Sequence, residues 1–487
     1  MKSTIRRPET TVISVGVANA SLAVLTFGVL AVLLPLTLVK WELVQSHSAS
    51  ISVAYLVVLY ASIRLALVVG KGKTEWLHAG FWVFTYVFMG IALLAQIAAN
   101  RFPDDIEYPQ SVLARSTVAV LIGLIAYDLG RLIAGEKTRH QTAKKLSIDI
   151  KRCILIGLAG ILCASFAIGR IGISPFFASR DALDQALQGR QTGVTAQFIK
   201  TEDKATNQLL QNAATIPVFV ALYMLLLARR RGALEKSSAA SRAGIGLFIA
   251  ALVAMNLIVN NPLGSSRFRM GLVLIGIAAV FVNIRSKRVF RIAIGLLIVA
   301  FLFAFSSLDA FRRTGGHDFS RGGSASEVLL TQRDYGMSQI VHETVSYVDR
   351  QGHTMGRQLG GAAGLWVPRR FWPDKPIPTG PLVTRGFIRV ASPLWSEGYV
   401  DFGMVGTGLV LGAYGWITRR VDNQFIQGGS PGLTALMPLF AGYQFILVRG
   451  ALIPSLAGFL FLLITARACL SSDYSRRGLR QIMRPAS

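Results

Sequence analysis

The run QLLQNAATIPVFVALYMLLLARRR, residues 208 to 231, holds no Asp, Glu, Lys or Arg until it ends in three consecutive arginines. An apolar stretch of about 20 residues is what an α-helix needs to cross a hydrocarbon core of about 30 Å. The arginines give the direction of crossing, because short loops rich in Lys and Arg stay on the cytoplasmic side. Both halves of this reading recur along the chain.

Of 487 residues, 52% are hydrophobic and only 16% charged, with a mean hydropathy of +0.49, values that soluble domains rarely reach. The apolar runs predict an all-α polytopic membrane protein of about twelve transmembrane helices. The predicted spans are 14 to 38, 50 to 70, 76 to 99, 112 to 134, 152 to 173, 208 to 228, 243 to 261, 269 to 285, 289 to 308, 396 to 418, 432 to 449 and 452 to 469. The first run is long and lacks a small-residue cleavage site, so it reads as a retained helix and not a signal peptide. Three regions follow: spans one to nine over 1–308, a large extracytoplasmic loop over 309–395, and spans ten to twelve with a tail over 396–487.

Basic residues mark every even-numbered exit. Lys71 and Lys73 follow the second span, and Lys137, Arg139, Lys144 and Lys145 follow the fourth. Arg229, Arg230 and Arg231 follow the sixth, Arg285 and Lys287 the eighth, Arg419 and Arg420 the tenth, and Arg476 and Arg477 the twelfth. The pattern places both termini in the cytoplasm. Most of the net charge of +26 therefore serves topology, and no stacking platform or nucleic-acid motif accompanies it, which excludes nucleic acid as a partner. Cys153, Cys163 and Cys469 lie in or beside spans, in no metal-binding pattern and unable to staple outer loops. No Walker A loop, dinucleotide fingerprint, serine elbow or HExxH sequence is present. Arg64, Arg115 and Asp128 are the few ionisable residues expected inside spans.

The loop over 309–395 is basic although it lies outside, which raises the question of what anion its arginines meet; the planar guanidinium suits phosphate oxygens. In WVPRRFWPDKPIPTG, residues 366 to 380, four prolines stiffen a stretch carrying Arg369, Arg370, Lys375, Trp366, Phe371 and Trp372. Such a ledge can bind an anionic sugar carrier or anchor at the membrane interface. In NNPLGSSRFRMG, residues 260 to 271, Arg267 and Arg269 open a helix whose N-terminus adds its own positive end. In SPLWSEGYVDFGMVGTGLVLG, residues 392 to 412, Glu397 and Asp401 fall four apart on one helical face, as a general base or as structural partners of arginines. His317, His342 and His353 supply further base candidates in the same loop.

The many-span layout, the late outer loop and these three stretches resemble bacterial O-antigen polymerases of the Wzy type, most closely between about residues 255 and 415. That family's motif of an arginine, ten residues and a glycine occurs from Arg369 to Gly380, and again from Arg312 to Gly323 and Arg350 to Gly361; the loop at 174–207 lacks it. The resemblance implies a metal-independent glycosyltransferase of the bacterial plasma membrane, without cofactor, that polymerises undecaprenyl-pyrophosphate-linked oligosaccharide repeat units into surface polysaccharide. Membrane lipids, a chain-length regulator and a flippase would be its partners. On this reading Arg267 and Arg269 are the first residues to stabilise the pyrophosphate, Arg369, Arg370, Trp372, Lys375 and Asp401 bind substrate, and Glu397, His342 and His353 compete as the base. An O-antigen ligase, or a polysaccharide-lipid transporter or flippase, are the alternatives.

Overall fold

The computed structural model describes residues 10 to 44, 49 to 136, 146 to 177, 201 to 235, 238 to 261, 264 to 304, 324 to 384, 391 to 428 and 431 to 472. Seven helices long and apolar enough to cross a membrane come first: α1 (Gly16–Leu38), α2 (Ala49–Lys71), α3 (Trp76–Ala99), α4 (Gln110–Ala134), α5 (Ile150–Arg170), α6 (Leu209–Arg230) and α7 (Ala239–Val259). Two shorter ones follow, α8 (Arg267–Phe281) and α9 (Lys287–Val299), the second prolonged by a π-helical turn at Ala300–Ala304. Four further helices, α10 (Ala325–Thr331), α11 (Met337–Gln351), α12 (Arg357–Ala363) and α13 (Thr379–Val383), structure much of the segment expected as a large loop. The chain closes with α14 (Leu394–Ile426), α15 (Gly432–Arg449) and the shorter apolar α16 (Leu452–Ala468).

Nine helices among the described residues thus meet the length and hydropathy of a span, against about twelve expected. For α8 the cause is its length. At about 1.5 Å per residue, the 15 residues of α8 reach only about 22 Å, because the helix starts at Arg267 and ends before the Asn283–Ser286 turn. Among the described residues the one sheet is two-stranded: β1 (Leu146–Ile148) pairs antiparallel with β2 (Leu470–Ser472), tying the chain before α5 to the chain after α16.

Burial ranks the helices. The apolar window of α3 is wholly enclosed, whereas those of α1 and α7 are 22% buried and that of α5 28%, as expected of helices turned to lipid. Among the described residues three helices carry π-helical turns, in α1 at Val29–Leu33, in α3 at Thr85–Ile91 and after α9. Such turns disturb the regular i to i−4 ladder, and hydrocarbon offers no water to compensate. Tyrosines supply hydrogen bonds at two of them: Tyr86 Oη donates to Leu30 O at 2.8 Å and Tyr55 Oη to Ala31 O at 3.1 Å, while Tyr335 Oη donates to Phe301 O at 2.5 Å.

The tightest helix pair is α4 with α14, running parallel. A Cβ on Gly130 would lie 1.9 Å from Gly412 O, and one on Gly415 2.1 Å from Tyr127 O. Trp395 Nε1 donates to Val120 O at 3.1 Å, further along the same seam. Small residues allow this approach, and dispersion between the two backbones holds it.

The sequence predicts one uninterrupted helix from 396 to 418, but α14 is a hairpin of two helical arms, 394–401 and 404–426. Phe402 and Gly403 leave helical geometry, Gly403 with φ +61° and ψ −141°. Positive φ is a conformation that glycine adopts without a steric cost. Residues eight apart in a straight helix lie about 12 Å apart, yet a Cβ on Gly398 would sit 2.4 Å from Gly406 O. Thr407 Oγ1 closes the hairpin by donating to Trp395 O at 3.3 Å. The short arm runs from fully buried Trp395 to Asp401, and the long arm turns back beside it.

Gly415→Ala forces a methyl group into a backbone carbonyl and should cost about 1 to 3 kcal/mol. Thermal unfolding in detergent checks this against Gly244→Ala, where nothing lies within 4 Å of the new Cβ and the midpoint should hold.

Candidate functional site

Polar side chains gather at both ends of the helices. One end carries the 260–269 turn and the segment over 324–384, and is called here the loop-rich face. The other, the basic face, carries Lys71, Lys73, Arg419 and the β1–β2 pair.

At the loop-rich face Ser266 caps α8, its Oγ accepting from Arg269 N at 3.3 Å. Arg267 and Arg269 therefore both sit in the first turn, but they serve different surroundings. Arg267 pairs with Asp334, whose other oxygen receives Arg449 Nη2 at 2.6 Å. Asp334 is held in place from α3: buried Gln96 donates from Nε2 to Leu329 O at 2.8 Å and to Tyr335 O at 3.1 Å, bracketing the aspartate. Arg449 also lies over the Phe268 ring, 4.6 Å from its centroid.

Arg269 lines a cavity of about 180 Å³ between α6, α8, α15 and α16. Its Nη2 donates to Asn212 Oδ1 at 3.1 Å and its Nη1 to Thr215 Oγ1 at 3.4 Å. Asn260 and Ser455 extend the polar wall, while Phe219 and Leu272 form an apolar one. A cation and amides on one side with hydrocarbon on the other suit an amphiphile with an anionic head.

Glu397 and Asp401 do not pair with arginine among the described residues; each caps a helix. Glu397, 1% exposed, accepts Leu452 N at 3.0 Å through Oε1 and Thr379 Oγ1 at 2.7 Å through Oε2. It thereby closes the N-terminus of α16 and fixes the tight turn between α15 and α16. Asp401 accepts Gln358 N at 3.1 Å, Leu359 N at 2.8 Å and the Thr354 hydroxyl, which caps α12. The first four N–H groups of a helix lack intrahelical partners, so these carboxylates satisfy an obligatory demand.

The proline-rich ledge is zipped to itself. Lys375 Nζ donates to Leu365 O at 2.8 Å and Val367 O at 2.9 Å, and Arg369 donates to Lys375 O at 2.8 Å and Pro376 O at 3.3 Å. Burial, and then the nearby Arg369, hold the Lys375 ammonium below the usual lysine range. Trp372 packs on Gly364, where a Cβ would be 2.8 Å from its ring. What the ledge presents outward is Trp366 and Phe371, 73% and 67% exposed, with the Arg370 guanidinium stacked 4.5 Å from the Phe371 centroid.

Histidines divide by exposure. His342 is enclosed by Phe102 and Tyr108, with Nδ1 2.6 Å from Ser116 Oγ, and burial pushes its pKa down to about 3. His353 is exposed beside the hairpin, 3.1 Å from where a Cβ on Gly403 would be. His317 lies outside the described residues.

The basic face holds a network that sequence reasoning touched through Arg64 and Asp128, and through Arg419 as a topological charge alone. Glu75 accepts Arg131 Nη2 at 2.6 Å and Arg419 Nη1 at 2.7 Å, and Arg131 reaches Asp422 at 3.3 Å. Fully buried Asp422 in turn accepts Leu77 N and His78 N, each at 3.1 Å, and so caps α3. Arg64 Nη2 and Tyr60 Oη both meet Asp128, at 2.6 and 2.5 Å. The available signal was Arg131, a charge inside the predicted span 112 to 134; Asp422 lies beyond the span 396 to 418, just after Arg419 and Arg420. Arg115, the remaining intramembrane candidate, makes a two-pronged bond to Asp349 at 2.7 and 2.6 Å and joins α4 to α11.

Comparisons with family models, curated proteins and solved structures find no match for this chain.

Glu397→Gln keeps an acceptor for Leu452 N and should change stability by about 1 kcal/mol or less, whereas Glu397→Ala leaves a buried N–H and the Thr379 hydroxyl unmet and should cost about 1 to 3 kcal/mol. Unfolding midpoints in detergent separate the two.

Proposed function

We propose that the chain is a metal-independent polymerase of undecaprenyl-pyrophosphate-linked oligosaccharide repeat units, working at the outer face of a bacterial plasma membrane. The observation that carries this reading is the first turn of α8, where Arg269 lines an amphiphilic cavity and Arg267 joins Asp334 and Arg449 beside it. With α8, α9 and α16 counted as crossings, twelve spans put this turn on the side opposite the basic loops and both termini in the cytoplasm. The parallel run of α4 and the long arm of α14 agrees with α8 and α9 crossing as a pair.

In the proposed reaction the bond between the donor sugar's anomeric carbon and the pyrophosphate oxygen breaks, and the acceptor hydroxyl oxygen bonds to that carbon. The hydroxyl proton passes to a base and the pyrophosphate leaves as an anion. Arg269, with Asn212 and Thr215 beside it, offers fixed donors where that negative charge grows, and the Phe219 and Leu272 wall suits the start of the prenyl chain. Arg267 takes a positioning role, holding the start of α8 against Asp334. Trp366 and Phe371 offer exposed flat apolar faces to sugars, with the Arg370 guanidinium stacked on Phe371. Of the three base candidates, His342 and Glu397 are buried and already bonded, so the role falls to exposed His353.

Deleting the gene should leave a single repeat unit on the acceptor in place of a ladder of lengths. Loss of all attached glycan would indicate a ligase, and an unchanged profile would refute both. With purified lipid-linked repeat units in detergent, Arg269→Lys keeps the charge but not the fork and should lower the rate roughly a hundredfold to a thousandfold at unchanged protein level. Full activity would leave Arg269 as a headgroup anchor.

A further inference from the structure

The second cavity, about 310 Å³ at the basic face, has no part in a reaction at the loop-rich face. It is lined by five cations, Arg64, Lys71, Lys73, Arg131 and Arg419, and three carboxylates, Glu75, Asp128 and Glu136. The carboxylates are already committed. Glu75 serves Arg131 and Arg419, Asp128 serves Arg64, and Glu136 lies 3.2 Å from Arg419 and 3.7 Å from Lys73. Asp422, behind the wall, serves Arg131. Lys71 makes no ion pair among the described residues, and Lys73 shares the exposed Glu136, so the surplus of positive charge lies at the rim. Arg64 Nε, in the wall, is buried without a hydrogen-bond partner.

The position of the opening selects the occupant. Arg64, Leu67, Val68 and Lys71 come from the last turns of α2, and Asp128, Arg131 and Leu132 from those of α4. Leu67 is 40% and Leu132 73% exposed, as befits side chains facing acyl chains. The cavity thus has a cationic rim at headgroup depth and an apolar lateral edge, between two membrane helices. Basic pockets of that kind are where anionic lipid headgroups dock, and a phosphate oxygen can accept from both exposed lysines.

We propose that this cavity binds the phosphate headgroup of an anionic phospholipid, with Lys71 and Lys73 as its donors and the acyl chains leaving over Leu67 and Leu132. The site is independent of the polymerase reading, because it needs only the membrane and no reaction.

The test uses delipidated full-length protein in detergent, titrated with phosphatidylglycerol, phosphatidylcholine or inorganic phosphate, and read by native mass spectrometry and by the unfolding midpoint. Phosphatidylglycerol should be retained and should raise the midpoint, while phosphatidylcholine should do neither. Lys71→Ala with Lys73→Ala should weaken phosphatidylglycerol binding about tenfold or more. Both lysines are exposed, so this double variant should fold; Lys71→Arg with Lys73→Arg should bind as the natural chain does. Equal effects of the two lipids, or unchanged binding in the double alanine variant, would overturn the proposal. An equal midpoint shift from inorganic phosphate alone would reassign the cavity to a free anion and overturn the lipid.

Discussion

A helix N-terminus enclosed in an apolar protein interior has N–H groups that neither water nor its own backbone can satisfy. Most of this architecture follows from how that demand is met. The hairpin α14 meets it three times, with Glu397 on α16, Asp401 on α12 and Asp422 on α3. Three carboxylates on one element thereby join the central helix, the last helix and the folded segment between α9 and α14. The hairpin itself depends on glycine, because only the turn at Gly403 and the bare contact of Gly398 with Gly406 let the short arm lie against the long one.

A second constraint acts on charge. With 51 Lys and Arg against 25 Asp and Glu, carboxylates are the scarce partner, and two of them are shared between arginines at the helix ends. Asp334 holds Arg267 and Arg449, while Glu75 holds Arg131 and Arg419. Truncating one such acid would strand two guanidinium groups of low exposure, a larger loss than one ion pair suggests. The two shared acids stand at opposite ends of the molecule, and Glu75 lines the cavity at the basic face.

The proline-rich ledge shows how far composition can mislead about role. Its cluster of cations reads as an anion site, yet Arg369 and Lys375 spend their donors on carbonyls of their own loop. Prolines cannot donate backbone hydrogen bonds, so long cationic side chains stitch the loop in their place. Arg370 differs from them, its guanidinium stacked on the exposed Phe371 ring.

The amino-acid sequence by itself determined the membrane, the helices and the alternation of basic loops, because hydropathy over a window and local charge need no knowledge of neighbours. It also located the first turn of α8, since Ser266 and the two arginines are a local signal. Only the tertiary structure decided which charges meet. Asp334 finds Arg449 across 115 residues, Asp422 finds α3 across more than 340, and Glu397 finds α16 across 55. Whether a carboxylate is a base, a cap or an arginine's partner depends on what stands within about 3 Å of its oxygens. That is settled by the packing of distant helices, which leaves no periodic trace along the chain.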